Sequence, residues 1–197
     1  MDEVRAYDRV AKLYDTLAFF VEWFISKHRK EILMSVEGQI LEVGVGTGNS
    51  FKDYPSYNRI VAIDASSEML WRAAKKLKRY EGDLELLLAD IAYLPFKDEV
   101  FDTMFSSLVL CSVANPVRSL KDMKRVAKEN SRLLMVEHVK SKNKFLGYLM
   151  ERLNPFLSPL DNINRDTVEN LKEAGWAVKQ ERNLAYDIFK AIVAEKQ

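Results

Sequence analysis

The sequence has few of the residues that build disulfides and metal sites. Its 197 residues include a single cysteine, Cys111, so a disulfide within the chain and a cysteine zinc cluster are both excluded. Its two histidines, His28 and His138, have no carboxylates at a recognisable ligand spacing, and we expect no metal ion. Such sparse cysteine is typical of a reducing compartment, which predicts a cytoplasmic protein.

Long apolar runs and a strong net charge are also missing. The most apolar early stretch, residues 17–25, is too short to cross a bilayer and contains Glu22. The charged segment through Arg9 is unlike a secretory signal. With 30 Lys and Arg against 29 Asp and Glu, the net charge of +1 does not favour a nucleic-acid partner. Length and composition predict one α/β domain over residues 1–197.

Short apolar runs alternate with helical patterns along the chain. Strands are predicted near 39–43, 59–63, 84–89, 101–106, 132–137, 176–182 and 187–194. Helices are predicted near 2–34, 66–79, 117–128 and 167–174. This alternation indicates a parallel sheet with right-handed crossovers, in which ligands bind at the carboxyl ends of the strands.

Three glycines on alternate positions follow the first predicted strand. They are Gly44, Gly46 and Gly48, and Glu42 lies two residues before the first of them. A glycine-rich turn after a parallel strand brings backbone N–H groups close to a ligand. A dinucleotide fingerprint would need its third glycine at position 49, where this chain has Asn49. The spacing therefore disfavours a nicotinamide-dependent dehydrogenase.

An acid also follows each of the next two predicted strands. Asp64 comes after residues 60–63, and Asp90 comes after residues 86–89. The first can accept hydrogen bonds from ribose hydroxyls, and the second from an adenine amino group. Either aspartate alone could be an ordinary strand-end or helix-capping residue. The two acids together with the glycine turn favour a nucleoside site.

These motifs resemble those of the class I methyltransferases that use S-adenosylmethionine. Residues 90–96 resemble the D-x-x-x-L-P-F run of the ubiquinone/menaquinone biosynthesis methyltransferases. Residues 107–113 and 136–139 are similar to the thiol methyltransferases of the methyltransferase-like-seven group, and bacterial phosphatidylethanolamine N-methyltransferases share this layout. The resemblance implies a Rossmann-like, seven-stranded and mostly parallel sheet with an antiparallel last strand and helices on both faces.

The resemblance also implies which residues hold S-adenosylmethionine and its product S-adenosylhomocysteine. Asp64 would bind the ribose, Met69 would pack on the adenine, and Asp90 with the Ile91 N–H would bind the adenine edge. The full implied set is Tyr14, Glu42, Gly44, Val45, Gly46, Gly48, Asp64, Ala65, Met69, Asp90, Ile91 and Ser107. The chain departs from the family at residues 128–131, where Pro-Gly-Gly is usual; we expect a loop there, away from the cofactor.

Catalytic residues are less evident than the cofactor residues. The sulfonium of S-adenosylmethionine activates the methyl group, so the protein need only align the acceptor and exclude water. A thiol or amine acceptor must still lose a proton. His138, just past the fifth strand, is the candidate base, with Tyr14 behind it. The alternatives are a histidine that caps the strand end and a tyrosine that packs on a helix face.

The acceptor is expected to be a small and lipophilic molecule, with a thiol or amine, a phospholipid or a quinone-like compound as candidates. The apolar insert 141–161 suits such a molecule, and residues 1–35 are expected to form a helical lid. Together these segments would form an apolar lid or a patch for peripheral membrane contact. The alternatives are that they pack on the core or form a dimer contact. The competing hypothesis for the whole chain is a cofactor-binding sensor or scaffold without turnover.

Overall fold

The structure is a computed structural model that describes residues 19–55, 59–77, 80, 82–139, 166–185 and 188–197. The α-helices in these ranges are α1 (Phe19–Leu33), α2 (Ser67–Leu77), α3 (Pro116–Val126) and α4 (Thr167–Glu173). The strands are β1 (Gln39–Val43), β2 (Arg59–Asp64), β3 (Asp83–Leu88), β4 (Phe101–Ser107), β5 (Ala127–His138), β6 (Trp176–Ala185) and β7 (Phe189–Lys196). Short 3-10 helices lie at Phe51–Asp53 and Leu110–Ser112.

The strands form one sheet in the order β3-β2-β1-β4-β5-β7-β6. Strands β1 to β5 run parallel to one another, whereas β7 is antiparallel to both β5 and β6. This confirms the predicted seven-stranded sheet with an antiparallel last strand. The chain proceeds outwards from β1 to β3 and then returns to place β4 on the other side of β1. Such a reversal opens a crevice at the carboxyl ends of β1 and β4.

Helices cover both faces of the sheet, as predicted. On one face, α1 and α2 pack over the strands through the buried residues Ile25, Leu33, Ile60, Ala73 and Phe105. On the other face, α3 and α4 do so through Met104, Leu120, Met123, Leu133 and Leu171. Burial of each large apolar side chain contributes about 1.5–3 kcal/mol, and the two cores together hold the strands in a fixed register.

Polar caps begin the helices at the positions that the sequence indicates. Ser66 Oγ accepts a hydrogen bond from the Met69 N–H (3.2 Å) at the start of α2. Asn115 Oδ1 accepts from the Arg118 N–H (3.0 Å) ahead of Pro116 in α3. These bonds satisfy backbone donors that have no partner within the helix. Both caps lie at the carboxyl edge of the sheet, so they also shape the loops that line it.

The expected loop at residues 128–131 was wrong, because these residues belong to β5. Asn130 takes the left-handed conformation (φ 60°), and the pairing with β4 shifts between Phe101 and Thr103. Asparagine tolerates this conformation better than most residues, so the strand continues through an irregularity instead of ending in a turn.

Several predicted features lie outside the described residues. They are Tyr14, most of the lid predicted at residues 1–35, and the insert predicted at residues 141–161. Trp23 of α1 is described and is 75% exposed. Among the helices that the structure describes, none is long and apolar enough to span a membrane.

A buried polar cluster lies between α1 and the end of β1. The Arg29 guanidinium donates to Asp53 Oδ2 from Nε (2.8 Å) and from Nη2 (2.7 Å), and both side chains are buried. Glu42 is buried beside the Ser50 and Tyr54 hydroxyls. Burial raises the pKa of Glu42 from 4.5 to about 7, although those hydroxyls and Arg29 oppose the shift. The neutral form of Glu42 is therefore well populated near neutral pH.

Glu42→Gln should remove a pH dependence of stability. The unfolded chain releases the Glu42 proton near pH 4.5, whereas the folded chain keeps it up to about pH 7. The free energy of unfolding should therefore fall by up to about 3 kcal/mol as the pH rises through this window. Urea unfolding at several pH values measures the slope, with Glu85→Gln on the exposed side of β3 as the control. Equal slopes in the native protein and Glu42→Gln would contradict this assignment.

Candidate functional site

A cavity of about 460 Å³ opens at the carboxyl ends of β1 to β4. This size falls within the range of small-molecule sites, which is about 300–1,000 Å³. The residues that line it are Gly44, Gly46, Ile63, Asp64, Ala65, Ser66, Met69, Ala89, Asp90, Ile91, Ala92, Tyr93, Ser107, Leu108, Val109, Ser112, Val113, Ala114, Asn115 and Arg118. The crevice created by the strand order and the predicted nucleoside site therefore coincide.

The glycine turn needs glycine for two different reasons. A Cβ on Gly44 would lie 2.4 Å from Val109 Cγ2, and the residue has a φ of 65°. Gly44 therefore permits the loop after β4 to pack directly against the turn. Gly46 also has a positive φ, 55°, but a Cβ there would meet no protein atom within 4 Å. Its Cα borders the cavity, so a side chain at position 46 would occupy ligand space.

Side chains from α1 and α2 hold the far end of the glycine turn. The Arg29 guanidinium donates to the Asn49 carbonyl (3.1 Å) as well as to Asp53. The Lys76 ammonium donates to Thr47 Oγ1 (3.0 Å) and to Asn49 Oδ1 (2.5 Å). Because charge-assisted hydrogen bonds are stronger than neutral ones, these two cations fix the turn from both sides.

Asp64, the last residue of β2, organises the cavity wall beside the turn. Its Oδ2 accepts from the Gly46 N–H (2.8 Å), and its Oδ1 accepts from the Ser66 N–H (2.9 Å). A carboxylate has about four acceptor positions, so these bonds leave capacity for ligand hydroxyls. Asp64 thus connects the glycine turn to the start of α2 while lining the cavity.

Residues after β3 form the opposite wall. Asp90 is exposed and accepts from the Ala92 N–H (2.8 Å) through Oδ1. Ile91 and Met69 are buried among the lining residues. The Arg118 guanidinium lies over the Tyr93 ring at 4.1 Å from its centroid, an arrangement typical of a cation–π contact. This wall combines apolar surface with a carboxylate and a stacked cation at the rim.

The turn after β4 forms the remaining wall. Ser107 and Leu108 line the cavity, and Leu108 has the left-handed φ of 57°. The Leu108 N–H donates to the Val136 carbonyl (2.9 Å), which holds this turn against β5. A leucine in this conformation is strained, so it persists only where its surroundings hold it.

Eight of the predicted cofactor residues line the cavity together. They are Gly44, Gly46, Asp64, Ala65, Met69, Asp90, Ile91 and Ser107. Three others are not among the lining residues. Glu42 is buried, the Val45 N–H donates to the Ile63 carbonyl (2.9 Å), and a Cβ on Gly48 would lie 2.5 Å from Phe51 Cε2.

His138, the predicted base, is not among the cavity-lining residues. It lies at the end of β5, where its ring meets Phe189 edge-to-face with centroids 4.9 Å apart. The second candidate, Tyr14, lies outside the described residues.

Sequence reasoning missed several lining residues, among them Tyr93, Val113, Asn115 and Arg118. Asn115 and Pro116 form a helix-start signal after β4, and the start of a helix that follows a parallel strand lies at the carboxyl edge of the sheet. That signal could have placed Asn115 and Arg118 at the site. Tyr93 stands within the run that resembles the biosynthesis methyltransferases, but its spacing gives no sign of the contact with Arg118.

The arrangement can bind a nucleoside and an attached apolar or charged group. Carboxylates at Asp64 and Asp90 can accept from hydroxyl and amino groups, and the open backbone at Gly46 allows close approach. In the described ranges, no three His, Cys, Asp or Glu side chains are grouped in a way that could hold a metal ion.

Comparisons with known proteins agree with this description. The family model of a methyltransferase domain matches residues 41–135. The phosphatidylethanolamine N-methyltransferase of Cereibacter sphaeroides is 38% identical over 103 residues, which cover 51% of this chain and 51% of that protein. The chain therefore matches about half the length of that relative. The demethylmenaquinone methyltransferase of Paenarthrobacter aurescens is 28% identical, with 99% of this chain and 87% of that protein covered.

Solved structures share the same fold. A SAM-dependent methyltransferase of Thermotoga maritima superimposes with a TM-score of 0.75 at 20% identity, over 99% of this chain and 100% of that one. This likeness shows that the two chains share their fold. The family match, the named relatives and the shared fold together support a class I methyltransferase that uses S-adenosylmethionine.

Proposed function

We propose that this protein transfers the methyl group of S-adenosylmethionine to a small, lipophilic acceptor that carries a thiol or an amine. A phospholipid with an amine headgroup would fit this description, and a quinone-like compound is a further candidate acceptor. The observation that carries the proposal is the cavity that brings Gly46, Asp64 and Asp90 together at the carboxyl ends of β1 to β3.

In this proposal the cofactor lies along the lining residues in a defined direction. Asp64 accepts from the ribose hydroxyls, and the open space beside Gly46 receives the sugar and the methionine portion. Asp90 and the Ile91 N–H bind the adenine, against which Met69 packs. Ser107 and Leu108 then lie beside the methionine portion. The two carboxylates and the open backbone at Gly46 support this proposal, because they suit the hydroxyl and amino groups of the cofactor.

The protein's own contribution is alignment and the exclusion of water. S-adenosylmethionine, when bound, supplies an electrophilic methyl group on a sulfonium. The residues around it hold the acceptor in line with that methyl group, and such orientation accounts for roughly 7–11 kcal/mol of barrier lowering in comparable reactions. In this proposal the apolar side chains of Leu108, Val109 and Val113 line this part of the cavity and exclude water from it.

The choice of a lipophilic acceptor rests on the apolar lining and on the named relatives. Those relatives act, by name, on phosphatidylethanolamine and on demethylmenaquinone, which are both lipids. The net charge of +1 does not favour nucleic acid. Peripheral membrane contact through the lid and the insert is part of the same proposal, and the exposed Trp23 of α1 supports it.

His138 is proposed as the base that takes the acceptor proton. Its place at the end of β5 requires the acceptor to reach from the cavity across the carboxyl end of that strand. The competing function is a sensor or scaffold that binds the cofactor without turnover. It would share Asp64 and Gly46 but would not need His138.

Asp64→Ala should weaken the binding of S-adenosylhomocysteine by roughly 100-fold or more. Each charge-assisted hydrogen bond to a ribose hydroxyl is worth about 1.5–3 kcal/mol, and the variant also frees the Gly46 N–H. Calorimetry on the folded variant measures the effect. Asp83→Ala, on an exposed aspartate at the start of β3, serves as the control. Native affinity in Asp64→Ala would remove this residue from the site.

Gly46→Val should abolish binding of the same ligand and leave the fold intact. A Cβ at position 46 meets no protein atom within 4 Å, so we expect the valine side chain to fill cavity space, while the positive φ costs about 1–2 kcal/mol of stability. Gly44→Val should instead lower the melting temperature strongly, because its Cβ clashes with Val109. Thermal unfolding and calorimetry of both variants separate these effects. Normal binding by Gly46→Val would refute the placement of the cofactor.

The acceptor is tested with isotope-labelled S-adenosylmethionine and a panel of thiols, amines, phosphatidylethanolamine and quinone-like lipids. With a thiol acceptor, whose ordinary pKa is about 8.5, the rate should rise with pH as the thiol ionises. His138→Ala should lower that rate without changing cofactor affinity, and His28→Ala on α1 is the matched control. Methylation of RNA or protein alone would contradict the proposed acceptor class, and tight cofactor binding without any turnover would favour a sensor.

A further inference from the structure

Glu137 is a fully buried carboxylate, 0% exposed, that does not line the cavity. It is the penultimate residue of β5, and burial of a carboxylate is costly unless hydrogen bonds or charges compensate for it. An apolar residue at this position would extend the buried run Leu133–Val136 without that cost. The hydrogen bonds of Glu137 must therefore offset the cost of burying its carboxylate.

One oxygen of this carboxylate accepts hydrogen bonds from donors in β4 and in the turn that follows it. Glu137 Oε1 accepts from Ser106 Oγ at 2.8 Å, from the Val109 N–H at 3.2 Å and from the Leu110 N–H at 3.5 Å. The two backbone donors lie just after Leu108, the strained residue of the turn. The carboxylate thus supplies acceptors that this irregular backbone cannot find within a helix or strand.

The backbone that Glu137 holds carries one wall of the cavity. Ser107, Leu108 and Val109 all line it, and Val109 packs against Gly44 closely enough to exclude any Cβ there. A shift of the turn would move Val109 away from the glycine turn and change the shape of the cavity on both sides. Glu137 therefore acts on the site through Val109 and Leu108.

We propose that Glu137 is a positioning residue for the cofactor site: its carboxylate locks the turn after β4 in the conformation that completes the cavity. This inference rests on the proposed placement of the cofactor in that cavity. It assigns Glu137 no contact with the cofactor or with the reacting atoms. The required property is an acceptor oxygen at this point rather than a negative charge.

The difference between an acceptor oxygen and a negative charge decides which variants test the proposal. Glu137→Gln keeps an acceptor oxygen of the same reach, whereas Glu137→Leu removes it and leaves the Val109 and Leu110 N–H groups without this partner. Lys190 lies opposite Glu137 on β7, but its ammonium donates to Glu181, so neither variant leaves Lys190 without a carboxylate. Leu133→Ala, on a fully buried residue of the same strand, is the control for general destabilisation.

The first measurement is amide hydrogen exchange of residues 107–112 in the protein without ligand. In the native protein the Val109 and Leu110 amides should be protected. Glu137→Leu should speed their exchange by roughly 10-fold or more, whereas Glu137→Gln and Leu133→Ala should change it little. The second measurement is calorimetry with S-adenosylhomocysteine. Glu137→Leu should weaken binding by roughly 10- to 100-fold, with near-native affinity restored in Glu137→Gln.

Equal exchange and equal affinity in Glu137→Leu and Leu133→Ala would overturn the proposal, because Glu137 would then act only as a core residue. If Glu137→Leu does not fold, rapid exchange of the Val109 and Leu110 amides in the native protein would overturn it equally. A native protein that fails to bind S-adenosylhomocysteine would contradict the proposed function instead. The exchange experiment would still report on Glu137, because it uses no ligand.

Discussion

The close packing of Val109 against Gly44 is the constraint on which the site depends. It brings the turn after β4 into contact with the turn after β1, so the two central strands of the sheet share one wall at their carboxyl ends. The contact requires a residue without Cβ at position 44 and a left-handed backbone at that glycine and at Leu108. The left-handed conformation is strained at Leu108 and is one of many open to a glycine turn, so other groups must hold each turn in place.

Charged side chains provide that support from three elements. Arg29 of α1 and Lys76 of α2 bind the far end of the glycine turn, and Glu137 of β5 binds the turn after β4. Each of them makes its hydrogen bonds away from the proposed ligand contacts. The cavity is thus shaped by charged groups that lie behind its surface, while the surface itself presents backbone, aspartates and apolar side chains.

In the proposed reaction, cofactor binding and acceptor binding depend on different parts of the chain. The family match covers residues 41–135, which contain every cavity-lining residue among those that the structure describes. His138 and the insert 141–161, which are proposed to serve the acceptor, follow that region. This division agrees with the chemistry, because the sulfonium makes the methyl group reactive for any acceptor and leaves only alignment and deprotonation to the variable segments.

Much of the fold and of the cofactor site follows from local sequence pattern. Alternating apolar runs and helix caps place β1 to β5, because these signals act over a few residues, and the glycine spacing with Asp64 and Asp90 predicts the cofactor residues. Residues 128–131 show where local pattern fails: a missing Pro-Gly-Gly turn could not reveal that Asn130 would continue β5 through an irregularity.

Only the tertiary structure decided how distant residues meet at the site. Arg118 lies over Tyr93, Val109 lies on Gly44 and Glu137 holds Val109, and the partners in each contact are separated by 25 residues or more in the chain. The sequence by itself determined the family, the cofactor and the residues that follow each strand, because short motifs indicate all three. The packing of one turn against another depends on strand order and side-chain volume, which no short motif contains.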